Sequence, residues 1–142
     1  MKVRPATPED APACAAIVRA WIEATDWMPG GPSEAELEAT MRAGFPIREA
    51  WVAEDAGGRV LGYASLKGEE DHLVGLYVAE PGQGVGRALL DRAKEGRDRL
   101  TLNTHVPNRA AHRFYEREGF ALLEDDLRGT DGVDERSMEW RR

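Results

Sequence analysis

At 142 residues, 42% hydrophobic and 32% charged, the chain suits a single globular domain, residues 1–142, with a sizeable core. Its net charge of −7 argues against unspecific nucleic-acid binding, which works by neutralising phosphates. That charge is compatible with a cationic amine substrate and equally with an acidic surface that serves solubility. No apolar run reaches the length of a membrane span, the N-terminus lacks a signal-peptide pattern, and the lone Cys14 excludes an intrachain disulfide, so the expected compartment is cytoplasmic.

Lys2-Val3-Arg4 reads as a short first strand. Thr7-Pro8-Glu9-Asp10 then starts a helix: Thr7 can cap it, Pro8 suits the first helical position, and Asp10 favours the positive end. The helix runs to about Ala24. Its buried stripe is Ala13, Ile17, Ala20 and Trp21, or Cys14, Ile17, Val18 and Trp21. On that face Cys14 reads as a small core residue. Thr25 to Pro32 is a loop in which Trp27 and Met28 stand beside Pro29-Gly30-Gly31. Loops are more often polar, so these two side chains either plug the core or form one wall of a substrate pocket.

Ser33-Glu34-Ala35-Glu36 is a capping box that opens a second helix through about Ala43, with Leu37 and Met41 inward and Gly44 and Pro46 ending it. Ala50 to Glu54 is a strand. Asp55-Ala56-Gly57-Gly58 is a hairpin turn, and Arg59 to Lys67 is its partner strand. Gly68 to Asp71 is a polar turn.

Leu73 to Glu95 carries the strongest pattern. Leu73-Val74-Gly75-Leu76-Tyr77-Val78 reads as a buried strand. A short break leads to a helix with apolar positions at Val85, Leu89 and Ala93, and a second row at Ala88 and Leu90. Gly82, Gly84 and Gly86 let a ligand approach the backbone of the turn. The free N–H groups and dipole of the helix start favour a phosphate there. Two familiar phosphate motifs are absent: no Gly precedes a Lys-Ser or Lys-Thr pair, and G-x-G-x-x-G fails at Arg87 from Gly82 and at Leu89 from Gly84. A G-x-G-x-G turn between strand and helix remains.

Arg99 to His105 is a fifth strand, with Leu100 and Leu102 inward. Asn108 to Glu118 is a helix closed by Gly119, Phe120 to Leu123 a sixth strand, and Glu124 to Asp134 an acidic loop. Glu135 to Trp140 can return as a seventh strand. Antiparallel pairs early and strand-helix-strand crossings late make a mixed α+β sheet.

Two of these stretches together resemble the GNAT family of N-acetyltransferases. In that family a Q/R-x-x-G-x-G/A turn after a long central strand binds the pyrophosphate of coenzyme A. About twenty residues later N-x-x-A-x-x-F/L-Y-E-x-x-G-F marks the next helix and strand. Here the second motif stands as Asn108-Arg-Ala-Ala-His-Arg-Phe-Tyr-Glu-Arg-Glu-Gly-Phe120. The likeness extends to the opening VRPATPEDAPACAAIVRA and covers nearly the whole chain. One departure stands out. The family's Gln/Arg position holds Pro81, which has no N–H to donate, and the loop after Val78 is about two residues short of the family's usual length. Either Gln83 substitutes, or the phosphate contacts rest on the later amides alone.

The resemblance implies a GNAT fold: a mixed, mostly antiparallel six- to seven-stranded sheet, flanked by about four helices and splayed between the fourth and fifth strands. It implies acetyl-CoA as co-substrate, bound by Leu76, Tyr77, Val78, Gly82, Gln83, Gly84, Val85, Gly86, Arg87, Ala88, Asn108 and Tyr115. Backbone groups of Leu76 to Val78 would pair with pantetheine like an added strand, and one N–H could stabilise the oxyanion. Tyr115 falls at the family's general-acid position, with Phe114 expected in the core and Tyr115 facing the cleft. Asn108 would meet the pantetheine arm, cap its helix, or do both. For a general base, His72 and His105 are the first candidates, Asp71 and Glu23 others, and a water chain could serve instead. Trp27 and Met28 fall where the family lines its acceptor pocket. No metal-ligand spacing is present. The expected activity is acetyl transfer to a primary amine of a small molecule. A protein N-terminus or lysine is the alternative acceptor, and a non-catalytic CoA-binding module a third reading. No nucleic acid or membrane partner is expected; the resemblance leaves a homodimer open, because family members often associate.

Overall fold

Alternation along neighbouring strands sorts the core into two layers. The computed structural model describes residues 1–142. In chain order its strands are β1 (Lys2–Pro5), β2 (Glu49–Glu54), β3 (Val60–Lys67), β4 (His72–Val78), β5 (Arg99–His105), β6 (Ala121–Arg128) and β7 (Asp134–Arg141). Its helices are α1 (Ala11–Glu23), α2 (Glu34–Gly44), α3 (Val85–Lys94) and α4 (Arg109–Arg117). The sheet runs β1-β2-β3-β4-β5-β7-β6, and only the β4–β5 pair is parallel. Successive residues of a strand point to opposite faces. Trp51, Ala53, Ala64, Leu66, Leu73, Leu100 and Leu102 therefore pack with Val85, Leu89 and Leu90 of α3 and Tyr115 of α4. Ala50, Val52 and Tyr63 face the other way, against Cys14, Val18 and Ile22 of α1 and Met41 of α2.

The helix boundaries follow local chemistry. Asp10 stands in a short 3-10 turn ahead of α1. Its carboxylate accepts the Thr7 N–H at 2.8 Å and takes both terminal nitrogens of Arg4 at 2.9 Å. At α2 the capping box is formed in both directions: Ser33 Oγ accepts the Glu36 N–H, and Glu36 Oε1 accepts the Ser33 N–H, each at 3.1 Å. The stripe of α1 is Cys14 with Val18, continued by Ala11, Ala15 and Ile22; Ile17 is only half-buried.

The C-terminal third departs from expectation. The acidic stretch after Leu123 does not form a loop up to Asp134; β6 continues through it to Arg128. Edge position explains this. β6 is the last strand of the sheet and is exposed along nearly its whole length, so it needs no apolar alternation. Charged side chains there are tolerated and blunt the edge. Register shifts interrupt its pairing with β7 on both sides of Glu124, and Asp126 takes a positive φ of 58°.

The splay that positions the site lies at the centre. β4 and β5 pair only at His72↔Thr101 and Leu73↔Leu102. Beyond Leu73, β4 keeps β3 on one side, with Tyr63↔Tyr77 and Gly62↔Val78 in register, and has no strand on the other.

Candidate active site

The gap between β4 and β5 is a cavity of about 420 Å³. One wall is β4 from His72 to Val78, unpaired on this side beyond Leu73, and the opposite wall is β5 from Leu102 to His105. Trp21 of α1 and Asn108, Ala111 and Tyr115 of α4 also line it. Since α1 and α4 cover opposite faces of the sheet, the cavity passes between the strands from one face to the other. Asp131 and Glu135, from the turn before β7 and its first residues, complete the lining near His105.

Tyr115 is held tightly. Its carbonyl accepts the Phe120 N–H at 2.9 Å, and Gly119, at φ +94°, lets the chain reverse so that its own N–H reaches the Glu116 carbonyl. These paired bonds close α4 as a Schellman motif. The ring sits edge-on between Phe114 and Phe120, at centroid distances of 5.1 and 5.5 Å. Burial raises the phenol pKa well above its ordinary value, so the group is a neutral O–H. Tyr115 lines the cavity and is also the more buried ring of the pair, while Phe114 packs against the core half-buried. Phe114 lies over the start of α3, where a Cβ on Gly86 would meet its Cζ at 3.3 Å. Gly86 is thus a packing position for Phe114, besides any part in admitting a ligand.

The glycine turn sits at the end of β4, outside the cavity wall. Gly82 and Gly84 adopt positive φ of 83° and 76°, and nothing lies within 4 Å of where a Cβ would be. The first helical bond of α3 runs from the Ala88 N–H to the Gly84 carbonyl, which leaves the N–H groups of Val85, Gly86 and Arg87 outside the ladder. Arg87 is mostly exposed. Gln83 donates to Glu80 at 2.9 Å rather than projecting alone.

Asn108 caps α4, its Oδ1 accepting the Ala111 N–H at 3.1 Å, while also lining the cavity. His72 lies at the closed end, where β4 and β5 still pair, with Nδ1 2.8 Å from Thr101 Oγ1. Burial lowers its pKa, so the ring is neutral at neutral pH. His105 lies at the open end. Its Nε2 is 2.7 Å from Asp131 Oδ2, and its ring stacks on Trp21 at 6.1 Å and lies 5.3 Å from Trp27. Trp21 also meets Tyr77 edge-on at 5.5 Å. Trp27 therefore backs the wall without lining the cavity, and Met28 packs into the α1 and α2 core. Asp71 and Glu23 are not on the wall: Asp71 faces Arg97 at 3.7 Å, and Glu23 pairs with Arg19 at 3.1 Å.

Sequence reasoning missed Trp21, Asp131 and Glu135. Trp21 reads as one more apolar residue of a helical stripe. The signal for Glu135 was the register of the last strand, which sets it opposite His105.

Comparison with known proteins agrees with this fold. The family model described as acetyltransferase (GNAT) domain matches residues 46–122. The peptidyl-lysine N-acetyltransferase YjaB of Escherichia coli strain K12 is 30% identical over 111 residues, which cover 75% of this chain and 74% of YjaB. The apo-form solution structure of Escherichia coli YjaB superposes with a TM-score of 0.77 at 27% identity, over 98% of this chain and 96% of that one. YncA of Salmonella typhimurium, solved with its cofactor acetyl-CoA, gives a TM-score of 0.72 at 23% identity, over 99% of this chain and 92% of the other. No helix is long and apolar enough to cross a membrane.

Proposed function

This chain belongs to the GNAT family of N-acetyltransferases, and from that membership we propose that it transfers the acetyl group of acetyl-CoA to a primary amine. The observation that carries the reading is the unpaired side of β4 facing Tyr115 and His105 across one cavity. A free strand edge offers N–H and C=O groups to an extended amide-bearing arm, as an added strand would. The open backbone at Gly82 and Gly84, with the free amides of Val85 to Arg87, fits a pyrophosphate. When bound, acetyl-CoA supplies an activated acyl thioester.

The chain's own groups then divide the proton work. The amine nitrogen forms the new bond to the acetyl carbon, and the bond from that carbon to sulfur breaks. His105 takes the proton that the amine gives up. Its Nε2–H points to Asp131, which leaves Nδ1 as the acceptor. Tyr115 returns a proton to the departing sulfur. His72 is the weaker base: it lies four residues before Leu76, roughly 13 Å along an extended strand, on the paired end.

For the acceptor, YjaB is named for peptidyl-lysine, which favours a lysine side chain. A small free amine is the second reading, favoured by the aromatic wall of Trp21, Trp27 and His105 around one end of the cavity. The test is calorimetric titration with acetyl-CoA, followed by a turnover panel of lysine peptides and small amines. Saturable binding with turnover of at least one amine class is expected. Binding without turnover across the panel would reduce the domain to a CoA-binding module, and absence of binding would refute the reading.

A further inference from the structure

We propose that His105, Asp131 and Glu135 form a zinc site at the open end of the cleft, and that zinc held there switches the transferase off. The switching half rests on the base assignment given under Proposed function; the binding half does not. β5 and β7 pair with His105 directly opposite Glu135, and the turn that leads into β7 folds Asp131 back onto the same imidazole. Nε2 of His105 lies 2.7 Å from Asp131 Oδ2 and 3.9 Å from Glu135 Oε2. All three ligand atoms fall within 4.8 Å of one another. Zinc bonds to N and O are about 2.0–2.2 Å, which sets tetrahedral ligand atoms roughly 3.3 Å apart. One measured spacing is shorter than that by roughly 0.6 Å and one longer by about as much, within reach of side-chain rotation.

The outer oxygens are already committed. Asp131 Oδ1 accepts the Val133 N–H, and Glu135 Oε1 accepts Asn103 Nδ2, both at 3.0 Å. Such bonds orient ligating carboxylates, and here they leave Oδ2 and Oε2 turned toward His105. Two partly buried carboxylates converge on the Nε2 side of one imidazole, a donor set that a divalent cation can bridge in place of the Nε2 proton. One imidazole with two carboxylates suits zinc over magnesium or calcium. The fourth position faces the cavity that all three residues line. Zinc on Nε2 displaces the proton there. The neutral ring then keeps its proton on Nδ1 and has no lone pair left to accept one from the amine.

The binding test titrates the chelator-treated chain with Zn²⁺ by calorimetry, and with Co²⁺ by visible absorption. One saturable ion per chain is expected, with the intense d–d bands of a four-coordinate cobalt centre. His105→Ala and Glu135→Gln should abolish tight binding. Asn103→Ala, which removes the donor to Glu135 Oε1 but no ligating atom, should weaken it about tenfold or more. Absence of saturable binding, or binding that all three variants leave unchanged, overturns the site. The activity arm follows acetyl-CoA consumption rather than thiol release, because thiols capture zinc. Loss of turnover on adding zinc, restored by a chelator, supports the switch. Tight binding with unaltered turnover overturns the switch and the His105 base together, and leaves the metal site standing.

Discussion

Tyr115→Phe removes one oxygen and tests the proton donor. The ring remains between Phe114 and Phe120, and the Schellman closure of α4 uses only backbone atoms, so the fold should hold within about 1 kcal/mol. A positioned general acid contributes about 10²–10⁴ in rate, equivalent to about 2.7–5.4 kcal/mol of barrier. The variant should therefore lose at least about 100-fold in kcat while its calorimetric affinity for acetyl-CoA stays within a factor of about two. Burial adds a pH signature. It raises the folded pKa of the phenol, so the protonated donor persists to at least the ordinary tyrosine pKa of about 10. Tyr115 should therefore contribute no alkaline loss of kcat below that pH, and wild type and variant should run parallel there. The reasoning fails if kcat is unaltered, or if its fall is matched by a loss of thermal stability and acetyl-CoA affinity.

Trp27→Ala should raise acceptor KM several-fold with acetyl-CoA affinity unaltered, since Trp27 backs His105 and Trp21 and stands off the β4 wall; a change in melting temperature alone would make it a core plug. Gly84→Ala and Gly58→Ala form a matched pair, both at positive φ with open space for a Cβ. Each should lower stability by about 1 kcal/mol, but only Gly84→Ala should weaken CoA binding, and equal affinities would make the α3 turn purely structural. Asp10→Ala strips one of the two carboxylate partners of Arg4 and the acceptor of the Thr7 N–H, and urea unfolding should show a loss of about 2–3 kcal/mol. The Arg4 guanidinium holds the Asp10 carboxyl below its ordinary pKa. A depressed carboxyl stabilises the fold above its unfolded value, about 3.9, and this is lost as pH falls through the folded one. The variant should therefore show a shallower acid loss than wild type; identical slopes would remove Asp10 from the pH dependence.

Local sequence determined a great deal here. The capping box at Ser33, the Gly119 closure and the strand-turn-helix of β4 and α3 are all short-range. Each reports chemistry that neighbours along the chain impose on one another. The mixed α+β class follows from such elements, while the family was legible through the resemblance carried by the glycine turn and the Asn108 to Phe120 motif. The end of the chain was less legible, because the period-2 signal needs one buried face and β6 has none. That Tyr115 would be the more deeply buried of Phe114 and Tyr115 also escaped. Adjacent residues on a helix diverge by about 100°, which separates the two rings without saying which one is buried deeper. Tertiary structure alone decided the cleft. The splay exists because β4 and β5 stop pairing after Leu73↔Leu102, and sheet order then sets β7 against the far edge of β5. That pairing brings Glu135 opposite His105, and Asp131 follows through the turn. Residues separated by 26 and 30 positions share no local physics, so only the register of a completed sheet could place them on one imidazole.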